Sequence, residues 1–199
     1  MKKIYVPGSF CPLHLWHEEF IEKIVSKTNK DLYFSIKWWS KIIDNILKLN
    51  NNWRFDENLK KLRMKEGFLN IEDVIFMFNE IYPDFDIWID TRDEIIWERF
   101  DGIALWSDQL TKILSSIKLW KRKNFKFKKV YLFNRKGVSI WNYNHILKSS
   151  GFDIEVIELW QSSYDLSSSQ IIEIYYQKGL SSIKDMVSNP IYNFIQNIV

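Results

Sequence analysis

The chain has little cysteine, little net charge and no long apolar run. Its 199 residues include one cysteine, Cys11, which excludes an internal disulfide and a cysteine-based zinc site. A lone cysteine agrees with a reducing compartment, so we expect the protein in the cytoplasm. No apolar run is long enough to span a bilayer, and the N-terminus enters a predicted strand without the apolar region of a signal peptide. We therefore expect no membrane partner.

The charge pattern gives little support for nucleic-acid binding. The formal net charge is +3, which is too small to argue for such a partner. The stretch from Lys121 to Lys129 is basic, with Phe125 and Phe127 between the lysines. We interpret it as a solvated face in front of a strand, with a nucleic-acid patch as the alternative. We expect no nucleic-acid partner.

Apolar and aromatic residues are abundant, at 46% and 17% of the chain, and ten of them are tryptophans. This composition is typical of a globular protein, and residues 1–199 fit one domain. The pattern predicts strands at 3–6, 31–36, 86–90, 102–106, 129–133 and 154–159, with helical stretches between them. Such alternation predicts an α/β fold: a Rossmann-like, doubly wound, mainly parallel sheet with helices on both faces.

A turn with two histidines follows the first predicted strand. Gly8 and Ser9 begin it, and His14 and His17 lie on one side of the first turn of the following helix. Glycine lets a backbone approach a ligand closely, and the N–H groups and positive dipole of a helix N-terminus suit a phosphate. The alternative is a capped helix start with a partly buried histidine pair. The local pattern leaves both interpretations open.

The same turn resembles a known motif. Nucleotidyltransferases with a Rossmann-like fold, including nicotinate- and nicotinamide-mononucleotide adenylyltransferases and phosphopantetheine adenylyltransferase, carry G-S/T-F-D-P-x-H-x-G-H. This sequence reads Gly8-Ser9-Phe10-x-Pro12-x-His14-x-x-His17. The resemblance makes His14 and His17 the catalytic residues and Gly8, Ser9 and Phe10 part of an ATP site. The sequence differs from the motif at two positions: Cys11 replaces the aspartate and Trp16 replaces the glycine.

A second segment resembles the G-x-D-x-L … W pattern of the mononucleotide adenylyltransferases. It implies that Asp108 and Trp120 hold the acceptor nucleotide, and here Trp106 replaces the first glycine. The alternative is that Asp108 caps a helix and Trp120 belongs to the core. After the fifth strand, Arg135 resembles the arginine of the family's R-P-G segment, which implies that it faces a phosphate. The alternative is that Arg135 faces solvent.

The late segment Leu166-Ser167-Ser168-Ser169-Gln170-Ile171-Ile172 resembles the family's I-S-S-T-x-I-R motif. Serine hydroxyls and helix N-terminal amides suit ATP phosphates, so the resemblance adds Ser167, Ser168 and Ser169 to the ATP site. The alternative is a serine N-cap for a helix over 170–178. Ile172 replaces the motif's arginine, so one cationic contact to phosphate is absent. The helical tail, about 166–199, is expected to complete the ATP site.

The resemblance implies an adenylyltransferase that joins nicotinate or nicotinamide mononucleotide to the AMP moiety of ATP, releases pyrophosphate and serves NAD biosynthesis. Its partners would be ATP and a small phosphorylated acceptor, with Mg²⁺ held mainly by the phosphates. In the resembling family a lysine after the second strand often contacts substrate phosphate, and Lys37 or Lys41 would be that residue here. The alternative for each is a surface lysine. The alternatives are another nucleotidyltransferase of this fold and a catalytically silent nucleotide-binding protein. The sequence leaves a homo-oligomer open.

Overall fold

The computed structural model describes a six-stranded parallel sheet within an α/β fold. It describes residues 3–29, 31–37, 67–90, 100–107, 129–133, 155–159 and 166–199. The strands of this part of the chain are β1 (Lys3–Gly8), β2 (Leu32–Lys37), β3 (Asp86–Asp90), β4 (Phe100–Trp106), β5 (Lys129–Phe133) and β6 (Glu155–Leu159). Every adjacent pair is parallel. The predicted Rossmann-like α/β fold is confirmed.

The sheet reverses its strand order beside β1. Its order is β3-β2-β1-β4-β5-β6, so the chain builds outward from β1 in one direction and then continues outward from β4 in the other. In open α/β sheets, ligands bind outside the carboxyl ends of the strands at this reversal. Gly8 ends β1 and Trp106 ends β4. The turn after Gly8 is therefore next to the carboxyl end of β4.

Four α-helices and one 3₁₀ helix lie entirely within the described residues. They are α1 (Leu15–Thr28), α2 (Ile71–Ile81), α3 (Ser168–Lys178), the 3₁₀ helix Leu180–Met186 and α4 (Asn189–Ile198). Asn70 and Asp73 form a capping box at the start of α2, in which each side chain accepts the other's backbone N–H. α3 begins at Ser168 because Ser167 is its N-cap.

The C-terminal helices share a core with the first half of the fold. One cluster of buried apolar side chains contains Val6 of β1, Ile24 of α1, Phe34 of β2, Ile172 of α3 and Ile195 of α4. Residues 166–199 therefore share one core with the strand before the histidine turn and the helix after it. Across the described part of the chain, no helix has both the length and the apolar character needed to cross a bilayer.

Candidate functional site

The turn after β1 is built around an unusual phenylalanine. Phe10 has a φ of 47°, in the left-handed region that few bulky residues adopt. Its ring is fully buried and packs edge-on against Phe34, Phe78 and His17, with ring centroids 5.0–5.4 Å apart. A Cβ on Gly8 would lie 2.5 Å from this ring. The space beside Gly8 thus holds the Phe10 side chain.

This crowding predicts a cost for Gly8→Ala. The added methyl group must displace the buried Phe10 ring, so we expect the free energy of unfolding to fall by about 1–3 kcal/mol. Gly67→Ala is the matched control, because its Cβ would meet only the terminal oxygen of exposed Tyr176 at 2.9 Å. That change should stay within about 0.5 kcal/mol. Urea unfolding measures both, and equal losses would show that the Phe10 ring moves freely.

The two histidines form a buried, stacked pair. His14 is the N-cap residue of α1, and its carbonyl accepts the backbone N–H groups of His17 and Glu18 at 2.7 and 3.1 Å. The imidazole centroids of His14 and His17 lie 3.7 Å apart at an interplanar angle of 25°. Their residues are 1% and 8% exposed. The structure brings the predicted catalytic pair together and covers it.

Two tryptophans close the space between α1 and the sheet. The rings of Trp16 and Trp106 are buried, with centroids 4.6 Å apart, and Trp106 also stacks on Phe20 at 4.3 Å. Trp106 packs edge-on against Phe133 at the end of β5. Both tryptophans stand where the resembling motifs have glycine. The Trp16 ring fills space between α1 and the sheet in this structure.

The three serines reach the same turn from the other end of the chain. Ser167 caps α3: its Oγ accepts the Gln170 N–H at 3.3 Å and donates to Gln170 Oε1 at 2.7 Å. Ser168 is buried, and its Oγ donates to the carbonyl oxygen of Pro12 at 3.2 Å. Ser169 is half-buried in the first turn of α3. The N-terminus of α3 therefore lies against the turn that leads into α1.

Two departures from the resembling motifs belong to the core. Cys11 is buried, and its Sγ lies 3.7 Å from the carbonyl oxygen of Leu69, which joins the turn to the residue before the N-cap of α2. Ile172 is fully buried in the common apolar cluster. A side chain at position 172 is therefore directed into the core, where an arginine would bring an unpaired charge.

Several predicted site residues lie outside the described residues. These are Asp108, Trp120, Arg135 and Lys41, and their assigned roles stay predictions. Lys37 is described as the last residue of β2, so its backbone is at the carboxyl edge of the sheet. Ser9 follows β1 directly and is half-buried. The described part of the site consequently comprises the turn after β1, the start of α1 and the start of α3.

Sequence reasoning missed a half-buried carboxylate in the first turn of α1, that of Glu18. Glu18 is half-buried, and burial raises its pKa from the ordinary value of 4.5, with Glu22 adding repulsion and the Ser188 hydroxyl acting in the opposite direction. Burial, with the nearby charges of Glu18 and Glu22, also raises the pKa of Tyr82. The one available signal was the position of Glu18 next to His17. The interaction between Glu18 and Ser188 links the first turn of α1 to the N-cap of α4.

The raised pKa of Glu18 predicts a pH-dependent gain from Glu18→Gln. The folded state binds the proton more tightly than the unfolded state, so stability falls as pH rises from about 4.5 through the folded pKa. Glutamine removes that loss and should stabilise the protein by about 0.5 kcal/mol at pH 7, a small value because solvent screens the half-buried group. At pH 3 the gain should vanish. Thermal melts at both pH values test this, with exposed Glu173→Gln as control.

The described residues contain no ready-made metal centre. No group of three or more His, Cys, Asp or Glu side chains in the described ranges is placed to hold a metal ion. Comparison with protein-family models and with curated protein sequences gives no match. The functional argument therefore rests on the geometry of the turn and on its resemblance to the nucleotidyltransferase motifs.

Proposed function

We propose that the protein is an adenylyltransferase that joins nicotinate or nicotinamide mononucleotide to the AMP moiety of ATP and releases pyrophosphate. The observation that supports this most is the hydrogen bond from Ser168 to the Pro12 carbonyl. It brings the late serine segment onto the histidine turn, although the two are far apart in the chain. A site for a triphosphate needs both segments at one edge of the sheet, and separation of the two would have ended the proposal.

The starts of α1 and α3 suit an anionic ligand. Each helix N-terminus carries partial positive charge and backbone N–H groups without partners inside the helix. α1 has 14 residues and α3 has 11, so both helices have fully developed dipoles. Placing the two N-termini beside one turn adds their fields at that point. A polyphosphate is the natural ligand for such an arrangement.

In the proposed reaction, the phosphate of the mononucleotide attacks the α-phosphorus of ATP, and the bond to the leaving pyrophosphate breaks. The attacking phosphate is anionic at neutral pH, so the reaction requires no general base. Catalysis then depends on positioning and on stabilising the developing negative charge. His14 and His17 would hold the α-phosphate, and Ser9 with Ser167 and Ser169 would hold the other phosphates.

A magnesium ion would bind through ATP rather than through a protein cage. The described ranges offer no group of three metal-ligating side chains, and Mg²⁺ is commonly held by substrate phosphates with one or two carboxylates. Bound there, the ion would neutralise phosphate charge. The residues described here would orient the phosphates around it. Asp108, Trp120 and Arg135 would hold the acceptor in this proposal.

A catalytically silent nucleotide-binding protein is the second candidate. The close packing of Trp16 on Trp106 and the burial of both imidazoles favour it. Two rings that fill the space beside the histidines leave little room for a nucleoside against α1. A protein that has kept the fold and the phosphate-binding helix starts, but has lost the open cleft, would bind a nucleotide without converting it.

One assay separates the candidates. The protein is incubated with ATP, Mg²⁺ and either nicotinate or nicotinamide mononucleotide, and dinucleotide and pyrophosphate are measured. Equal amounts of both products are expected from the adenylyltransferase. Transfer only to phosphopantetheine would assign another acceptor, and ATP binding without transfer to any acceptor would assign the silent protein. Neither binding nor transfer would end both candidates.

A further inference from the structure

A groove lined by both apolar and polar side chains lies on the outer side of α2. Phe78 of α2 packs into the core against Phe10. Phe76 is two residues earlier, which places it about 200° around the helix from Phe78. Phe76 is accordingly 57% exposed, more than any other large apolar residue in the described part of the chain. The outer face of α2 thus presents a large aromatic ring that the protein's own core does not cover.

The C-terminal helix α4 forms the second wall of this groove. The Phe76 ring stacks on Phe194 of α4, with centroids 5.8 Å apart at 29°. Ile198, one turn further along α4, is 44% exposed. The cavity between the helices has a volume of 760 Å³. Its described lining is Asp73, Phe76, Glu80, Ile81, Pro190, Asn193, Phe194, Asn197 and Ile198.

The groove lies between two helices and is long enough for two turns of a partner helix. Its lining residues recur every three or four positions on each wall, as facing stripes of two packed helices do. From Asp73 to Glu80 the wall rises about 10 Å, which is two helical turns. A helix laid in such a groove would bury apolar side chains at positions i, i+3 or i+4, and i+7.

Charge decides what kind of helix fits. The only charged residues among the described lining are the carboxylates Asp73 and Glu80. α2 has no basic residue in its last turn, so Glu80 adds its charge to the negative end of the helix dipole. α4 contributes no charged side chain. A second copy of this chain, docked face to face through the groove, would bring like charges together.

We propose that this groove is a docking site for an amphipathic helix of another protein, one with large apolar side chains on one face and Lys or Arg beside them. The aromatic floor formed by Phe76 and Phe194 would take an apolar anchor. Glu80, at the negative end of α2, would face a basic side chain of the partner. This inference goes beyond adenylyl transfer and uses none of the residues assigned to it.

The test uses the full chain and two labelled peptides. One is an amphipathic peptide of about 14 residues, four turns of leucine and lysine, and the other has glutamate in place of lysine. Fluorescence anisotropy should show binding of the lysine peptide. Phe76→Ser should weaken it about tenfold or more, as loss of a central aromatic anchor does. Tyr176→Ser is the matched control, since Tyr176 is also exposed, at 49%, but lies on α3 outside the groove.

A charge variant gives a second measure. Glu80→Gln should weaken binding of the lysine peptide at low salt and flatten its dependence on salt concentration. Equal binding of the two peptides, or unchanged affinity in Phe76→Ser, would overturn the proposal. So would a dimer in sedimentation that Phe76→Ser dissociates, because a second copy would then occupy the groove. Retention of the melting temperature in Phe76→Ser confirms that lost binding is local.

Discussion

Replacing His17 by alanine is expected to lower the rate of dinucleotide formation by about 10²–10³-fold, the effect of removing one hydrogen-bond donor to a developing phosphate charge. The imidazole lies in the first turn of α1, stacked on that of His14. The N-terminus of α3 reaches the same turn through Ser168. Under the proposed mechanism, His17 contacts the α-phosphate most strongly when the bond to pyrophosphate breaks. Steady-state kinetics with saturating ATP and mononucleotide measure the loss.

His17 also packs on Phe10 and Trp106, so a structural effect must be separated from a catalytic one. The ring centroids are 5.0 and 5.8 Å apart, respectively. Melting temperature and ATP affinity are therefore measured on the same sample. A folded variant that binds ATP but transfers slowly agrees with the catalytic role. His145→Ala is the control histidine, and a His17→Ala enzyme with unchanged turnover would make His17 structural only.

Ile172→Arg is expected to lower the free energy of unfolding by about 3–5 kcal/mol, the cost of an uncompensated charge in a core. The isoleucine is fully buried in the apolar cluster that α3 shares with α1 and α4. The motif resemblance alone predicts a gain in ATP affinity from this change, because the family's arginine at this position would add a phosphate contact. Urea unfolding followed by circular dichroism measures the change in stability.

The neighbouring residue provides the control for this variant. Glu173 is exposed on the same turn of α3, so Glu173→Arg changes charge without entering the core and should stay within about 0.5 kcal/mol. An Ile172→Arg protein as stable as the wild type, with higher affinity for ATP, would contradict the buried position. It would show that position 172 faces the phosphates.

Local patterns predicted most of the described elements. The strands at 86–90 and 129–133 begin and end as predicted. β1 runs two residues beyond its predicted end, because Pro7 and Gly8 continue the register with Ser35 and Ile36 of β2. Pairing between strands is a long-range property, which the alternation of apolar residues does not contain. The capping of α2 was predictable because both partners lie within one turn.

The interior of the candidate site was less predictable than its position. Topology alone predicts that residues after β1 and β4 share an edge of the sheet, which is where Gly8 and Trp106 end their strands. The contact between Trp16 and Trp106 joins two residues that no local pattern relates. Likewise, the space beside Gly8 is taken by Phe10 only because its backbone adopts a left-handed conformation.

The most direct test of the phosphate site is the imidazole spectrum of the protein during titration. The chain has three histidines, His14, His17 and His145, so nitrogen-15 correlation spectra contain few signals, and the His145→Ala variant assigns one of them. Addition of Mg²⁺ and ATP, or of pyrophosphate alone, is predicted to shift the signals of His14 and His17. ATP that binds, by calorimetry, without moving either signal would contradict a phosphate site at this turn.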